Sequence, residues 1–424
     1  IYLERSRGGI MLLEFSCINH KSIKDKIVFS LLPGNDDSHI ENLIDVNGRS
    51  VLRSAVIYGA NGSGKSSFIT AVDFMRMLVL NSITHQPGTG IRQDAHKLSS
   101  PDDPTSYSIQ FIADGMRFAY GFSLEKTLVS EEYLYYFPNG RQAMIFERDA
   151  ENFKTGSKFK KSAFSTCSDV LKPNRLLLSC AANFCSIQEI DTAYKFFIDG
   201  LVVYNDPDNW LRYSLYKMNE NPSIKSSVVS FLQELGVGVR DIRVSIEKGS
   251  FDPSALPPFL SDEFKNALMS KSVDAIQAFM VYDSFQTDLL NEESTGIRKL
   301  VGMLCPLLDI MESGKVLIFD EIETSLHESL IYELVKLFSS PSINRSAQLI
   351  FTTHDTSLLS LDLFRRDQIW FTEMKGENRS TDMYSLAEIK NVRKSENYGR
   401  GYITGKYGAI PMLNLDFASL VGRL

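Results

Sequence analysis

The chain is poor in cysteine and has no long apolar run. Its five cysteines, Cys17, Cys167, Cys180, Cys185 and Cys305, are scattered and odd in number. None makes a CxxC pair, and no His pair accompanies Cys180 and Cys185, the closest two. A cysteine-ligated metal centre and a disulfide framework are therefore not expected, and reduced thiols are. No apolar run reaches the roughly 18 residues that span a bilayer. The first ten residues, IYLERSRGGI, mix acids and bases without the apolar stretch of a signal peptide. Met11 reads as the natural start, with residues 1–10 an extension or an artificial remnant. The chain reads as cytoplasmic, with no membrane partner. Internal repeats, low-complexity tracts and sustained heptads are also missing, which argues against solenoids and long coiled-coil arms. The net charge is −7, so the protein as a whole is no polycation built to coat nucleic acid.

What is present is the composition of an ordinary globular protein of 424 residues, 43% hydrophobic and 23% charged. That length suits two or three lobes. LLEFSCI (12–18) and IVFSLL (27–32) read as strands, and SAVIY (54–58) as a short β-rich run that stops at glycine. From Ser66 to about Asn81, Phe68, Ile69, Val72, Met75 and Leu78 recur at helical spacing. A loop rich in Pro, Gly, Asp and Ser occupies 84–105. YSIQFIA, RFAYGFSL, SEEYLYYF and AMIFERD then alternate as short runs, with turn signals at Asp114-Gly115 and Asn139-Gly140, which predicts a β-meander. Residues 175–290 read as a mostly helical insertion broken by Pro207, Pro222, Pro253, Pro257 and Pro258. VLIFD and QLIFTT then read as buried strands. The expected division is 1–10, 11–174 (lobe I), 175–290 (helical lid) and 291–424 (lobe II).

GANGSGKSS, from Gly59 to Ser67, satisfies G-x-x-x-x-G-K-[ST] between a predicted strand and a predicted helix. Glycines at Gly59, Gly62 and Gly64 let the backbone curl, so that successive amides from Asn61, Ser63 and their neighbours point at a phosphate. Lys65 supplies a point charge for the β- and γ-oxygens, and the Ser66 hydroxyl a ligand for Mg²⁺. Ser67 completes the loop. The expected ligand is Mg-ATP. The wording around Asn61-Gly62-Ser63 is that of ABC transporters, SMC proteins and DNA-repair ATPases, rather than kinases or small GTPases.

Two acids end the strand VLIFDE. Asp320 is placed to hold Mg²⁺ through water, and Glu321 to orient and activate the attacking water. His354 ends QLIFTTH, where a histidine reaches a γ-phosphate or the catalytic Glu. In EESTGIRKL, Ser294 and Gly296 at a helix start offer amides and a positive dipole end to a γ-phosphate. Alone, the segment would read as a plain helix cap by Ser294 or Thr295; with the other motifs in the correct order, it reads as the signature segment. With one P-loop and one signature segment, the chain would complete its site head to tail with a second copy, in a dimer or a higher even oligomer, as an ATP hydrolase. The fold class expected is α/β: a P-loop NTPase with an ABC/SMC-like ATPase head, a β-meander lobe and a helical insertion.

Beyond these motifs, LLEFSCINHKSI, DEIETSLH, FTTHDTSLL, RRDQIWFTE, YSLAEI and YITGKYGAIP together resemble the RloA-like ABC-type AAA ATPases of bacterial anti-phage and abortive-infection operons. These are similar in build to the OLD, PARIS and Septu ATPases. The overlap runs from about Met11 to Pro411. The resemblance implies a sensor or regulator working with a second, operon-encoded protein, often a nuclease of Toprim or HNH type. Residues 355–424 are too few for the fused Toprim domain of OLD proteins and show no HNH or PD-(D/E)xK cluster. No Q-loop glutamine is singled out among Gln93, Gln110 and Gln188. DNA is a further candidate partner, through Lys154–Lys161, Arg365-Arg366 or Lys390–Lys394, although a solvated charged face is the plainer reading. A DNA-clamping repair or chromosome-maintenance ATPase is the alternative function. An ABC transporter subunit fits less well, because roughly 230 residues separate P-loop and signature.

Overall fold

The structure is a computed structural model that describes residues 9–150, 152–204, 206–249, 273–324, 326–359, 363–376, 378–393 and 396–410. In chain order the elements begin with β1 (Met11–Ile18), β2 (Ile27–Ser30), β3 (Leu43–Val46), β4 (Arg49–Leu52), β5 (Ser54–Tyr58) and α1 (Lys65–Asn81). Next come β6 (Thr105–Ala113), β7 (Met116–Glu125), β8 (Leu128–Tyr136), β9 (Ala143–Asp149) and β10 (Asn152–Thr155). They are followed by α2 (Ser165–Val170), α3 (Leu177–Phe184), α4 (Gln188–Lys195) and β11 (Leu201–Tyr204). Then come α5 (Pro207–Glu220), α6 (Pro222–Glu234), β12 (Asp241–Gly249), β13 (Val273–Val281), β14 (Gln286–Asp288) and α7 (Thr295–Ser313). The last described elements are β15 (Val316–Phe319), α8 (Glu328–Ser339), β16 (Gln348–Thr352), β17 (Ile369–Lys375), β18 (Ser380–Ser385) and α9 (Tyr398–Ile403).

The chain divides into two compact units, one of residues 1–205 with 310–424, the other of 206–309. The first unit holds two large sheets. One is antiparallel, in the order β10-β9-β8-β7-β6-β1-β2. Its β6–β7 hairpin turns through Asp114 and Gly115, both at positive φ, the geometry of the two-residue turn that matches strand twist. The other sheet runs β11-β15-β16-β5-β17-β18, parallel except for β18. β5, β15 and β16 are buried at every position, as central parallel strands covered on both faces must be. Phe68 of α1 packs on Phe15 and Phe29, and Phe29 packs on Trp370 of β17, so one core joins α1 to both sheets. With its 3₁₀ extension to Thr84, α1 is the one described helix long and apolar enough to cross a membrane. Here Phe68, Val72 and Val79 lie in that core.

The second unit packs α5, α6 and part of α7 with the sheet β12-β13-β14, around Leu215, Leu232, Ile242, Met280 and Val301. This differs from the helical insertion expected over 175–290. Residues 177–204 form α3, α4 and β11 of the first unit, and the second unit carries an antiparallel sheet. The reason lies in IRVSIE and VDAIQAFMV, whose β-branched residues pair across β12 and β13. The proline breaks Pro253, Pro257 and Pro258 lie outside the described residues.

In the first unit, Glu132 of β8 is buried, yet it accepts from the Leu177 and Leu178 amides at 2.5 and 2.9 Å and from the Tyr120 hydroxyl at 3.0 Å. Arg148 stands 3.5 Å from the same carboxylate. A buried charge at the free amides of a helix start is how α3 is fastened to the meander.

Candidate functional site

β15, β16 and β5 are neighbours in parallel register, with Phe319 opposite Phe351 and Thr352 opposite Ile57. Their carboxyl ends therefore open on one edge, the usual ligand edge of a parallel sheet. The segment after β5 is Gly59–Gly64, that after β15 begins with Asp320, and that after β16 leads to His354.

The loop after β5 is built on close approach. Gly62 and Gly64 have φ of 78° and 109°. A Cβ on Gly64 would stand 2.0 Å from Thr381 Oγ1 of β18. Thr381 donates to the Ser63 carbonyl at 3.0 Å, and Ser63 shares a hydroxyl contact of 2.7 Å with Thr372 of β17. Ser22 donates to Ser67 at 2.7 Å and contacts Thr381 at 2.7 Å. The Ala60 amide donates to the Ala409 carbonyl at 3.0 Å, so the GKYGAIP segment braces the start of the loop. Lys65 is buried and turns its ammonium to the Gly59 and Ala60 carbonyls at 2.7 and 3.3 Å. Burial lowers its pKa, and the charges of Asp320, Glu321 and Glu323 oppose that shift.

At the acidic strand end, the Thr352 hydroxyl donates to Asp320 Oδ1 at 2.6 Å and accepts from the Glu321 amide at 2.7 Å. Glu321 has φ 49°, a left-handed conformation rare outside glycine. Glu323 Oε1 accepts from the His354 amide at 2.7 Å, and Glu323 Oε2 is buried without a hydrogen-bond partner among the described residues. A cavity of about 1190 Å³ gathers Asn61, Gly62, Gly64, Lys65, Ser66 and Ser67 with Glu321 and His354.

Ser66 lines this cavity, and the charge of Asp320, just past the end of β15, acts on Lys65 within it. Among the described residues no cluster of three or more His, Cys, Asp or Glu could hold a metal alone.

Ser294 and Gly296 lie in the second unit. Ser294 Oγ accepts from the Ile297 amide at 3.2 Å, which is the helix-cap arrangement. His327 caps α8, accepting from the Ser329 amide at 3.2 Å. Of the three glutamines, Gln93 lines the cavity, Gln110 bonds Glu14 and Arg117 on the antiparallel sheet, and Gln188 begins α4.

The basic clusters are largely engaged. Lys154 pairs with Glu147, and Lys158 and Lys161 stand over Tyr136 and Phe153. Arg365 is 1% exposed, with Asp367 and the Ser38 and Gly34 carbonyls around it, and Arg366 pairs with Asp36. Arg365-Arg366 is thus an internal brace rather than a nucleic-acid patch, because a guanidinium with that many buried partners offers nothing to a phosphate backbone. Lys390 and Arg393 are exposed, and residues 394–395 lie outside the described residues. All five cysteines are free thiols.

Sequence reasoning left Thr352, Glu323, Thr381, Ser22 and Ala409 without roles. Thr352 and Glu323 stood inside quoted motifs, FTTHD and DEIETSLH, and a second acid two residues after the first was the available signal. Ser22 and Ala409 also stood inside LLEFSCINHKSI and YITGKYGAIP, but they and Thr381 reach the loop only through the fold.

A phosphate loop after β5, an acidic strand end two strands away and a neighbouring antiparallel meander sheet make this an ABC-type P-loop ATPase fold. The profile of the family described as "AAA domain, putative AbiEii toxin, Type IV TA system" matches residues 54–164 and 208–360, more than half of the chain. No curated protein matches it. Among solved structures, an SMC head bound to the C-winged helix domain of ScpA is similar at 14% identity and TM-score 0.42, over 88% of this chain and 97% of that one. The SMC head domain from Thermotoga maritima gives 14% and 0.41, over 88% and 98%. RecF-ATP, the recombination mediator of the RecFOR pathway, gives 13% and 0.41, over 90% and 100%.

Proposed function

The chain belongs to this AAA-domain family of ATPases, and from that premise we propose that it binds and hydrolyses Mg-ATP between two copies of itself, as the regulator of an effector in anti-phage defence. One observation carries the enzymatic part: three adjacent strand ends bring Lys65, Glu321 and His354 to a single cavity, with Asp320 beside them. In this reading the Lys65 ammonium leaves the Gly59 and Ala60 carbonyls for the β- and γ-oxygens. Ser66 and Asp320 hold Mg²⁺, which supplies positive charge where the phosphates build negative charge. Glu321 takes the proton of the attacking water, and Thr352 holds the Asp320 carboxylate and the Glu321 backbone. His354, tied through its amide to Glu323, faces the terminal phosphate.

The dimer rests on Ser294 and Gly296. A Ser-Gly helix start suits a γ-phosphate held by another copy, with the Ser294 cap opening to admit it. The resemblance to RloA-like, OLD, PARIS and Septu ATPases supports an operon-encoded nuclease of Toprim or HNH type as effector, and the type IV toxin–antitoxin description of the family agrees with a growth-arresting system. The experiment is the solution mass of Glu321→Gln with and without Mg-ATP, alongside the double variant Glu321→Gln/Ser294→Arg. Glu321→Gln should double in mass on ATP, and the double variant should not. A mass that stays monomeric with ATP bound rejects the shared site.

A further inference from the structure

The cavity is larger than a triphosphate needs, and part of its wall belongs to no nucleotide motif. One such stretch is the loop between α1 and β6, where Gln93 to Leu98 all line the space; Met374, Asn378 and Arg379 line it from the β17–β18 hairpin. The loop is tied down: the Lys21 amide donates to the Asp94 carbonyl at 2.6 Å, and the His96 amide to Asn19 Oδ1 at 2.9 Å. Asn19 itself holds the far end of the loop through the Asp103 carbonyl at 3.1 Å.

Two side chains on this wall lack a structural explanation. His96 is 6% exposed. Its Nδ1 accepts from the Leu98 amide at 3.2 Å, which leaves the proton of the neutral ring on Nε2. Among the described residues Nε2 has no partner, and the ring lines the cavity. Leu98 is 58% exposed on the same wall, an apolar surface with nothing packed on it. The loop also adjoins the phosphate loop: Ser22 bonds Ser67, and its neighbour Lys21 bonds Asp94, all four residues lining the same cavity.

We propose that residues 93–98 read the base of the bound nucleotide, with His96 Nε2–H donating to a ring nitrogen of adenine and Leu98 supporting the ring face. The inference rests on the P-loop reading of the site. A donor suits adenine, whose N1, N3 and N7 all accept; it excludes guanine only at N1, which carries a proton there, since guanine N3 and N7 also accept.

The test measures binding of ATP and of inorganic tripolyphosphate, each with Mg²⁺, to wild type, His96→Asn, His96→Gln and Lys65→Ala. Asparagine keeps an acceptor near Nδ1 for the Leu98 amide and removes the Nε2 donor, while glutamine places an amide N–H near Nε2. Wild type should bind ATP more tightly than tripolyphosphate. His96→Asn should weaken ATP about three- to tenfold, one net hydrogen bond, with tripolyphosphate unchanged, and His96→Gln should recover most of the loss. Equal affinity of wild type for both ligands, or an unchanged ATP affinity in His96→Asn, overturns the proposal. Lys65→Ala reports separately: if it binds both ligands as wild type does, the P-loop reading itself fails.

Discussion

The Thr352 hydroxyl donates to Asp320 across two neighbouring strand ends at 2.6 Å. The same oxygen accepts from the Glu321 amide, so one side chain holds the Asp320 carboxylate and the Glu321 backbone. Outer groups that orient metal ligands typically change affinity or activity 10–100-fold when removed. Thr352→Val should therefore lower ATP turnover by about that factor and raise the Mg²⁺ concentration for half-maximal rate, with ATP affinity nearly unchanged. A rate and a Mg²⁺ dependence equal to wild type would show that Asp320 does not need this partner.

The two inner loop glycines should respond differently to alanine. Gly62 has open space beside it, so Gly62→Ala meets only its φ of 78°, about 1–2 kcal/mol. Gly64→Ala adds a collision with Thr381, its Oγ1 at 2.0 Å and Cβ at 2.8 Å, and should abolish ATP binding. Calorimetry on both variants separates the cases. Equal losses would mean that backbone freedom alone, not contact with β18, sets the loop.

Glu132 should dominate the stability of the first unit. Glu132→Ala takes the counter-ion from the buried Arg148 guanidinium, which keeps its Ala150, Lys172 and Arg175 carbonyls, and leaves two α3 amides without their acceptor. Removing one partner of a buried pair costs about 3–5 kcal/mol. Urea unfolding should show that loss, and Glu132→Gln should recover part of it by still accepting from the amides. A loss below about 1 kcal/mol in Glu132→Ala would contradict the fastening role.

His20 gives a pH dependence with a defined sign. Its ring nitrogens meet the Tyr107 hydroxyl at 2.8 Å and the Thr70 hydroxyl at 3.2 Å. Burial, aided by Lys21, lowers its pKa from 6.5 to about 4. The folded state therefore holds it neutral where the unfolded chain protonates it. Its contribution is complete above pH 6.5 and is lost as pH falls toward 4, up to about 3 kcal/mol at 1.36 kcal/mol per unit. Urea midpoints at pH 7.5 and 5 should fall in wild type and fall less in His20→Gln. A drop of the same size in both would remove His20 as its source.

Much of the catalytic edge was legible in the sequence because its signals are local. The P-loop has fixed spacing, and four apolar residues before Asp320-Glu321 mark a buried strand that ends in charge. Asp114-Gly115 likewise announced its hairpin. Thr381 and Ala409 were not legible: each reaches the P-loop from over 300 residues away in the sequence, and only strand order places them. Arg365 looked like part of a basic surface because sequence shows a charge but not its burial. Residues 177–195 were assigned to a lid because their helices are visible in sequence, while their docking on the first unit's core through Leu177, Cys180 and Ile190 is not.

The most direct test of the central claim is Mg-ATP turnover by wild type, Lys65→Ala and Glu321→Gln, with nucleotide affinity measured on the same preparations. The account predicts turnover by wild type, loss of ATP binding in Lys65→Ala, and tight binding with turnover reduced at least about 100-fold in Glu321→Gln. Wild-type turnover by Glu321→Gln would contradict it, because the base assigned to the end of β15 would then have no part in the reaction.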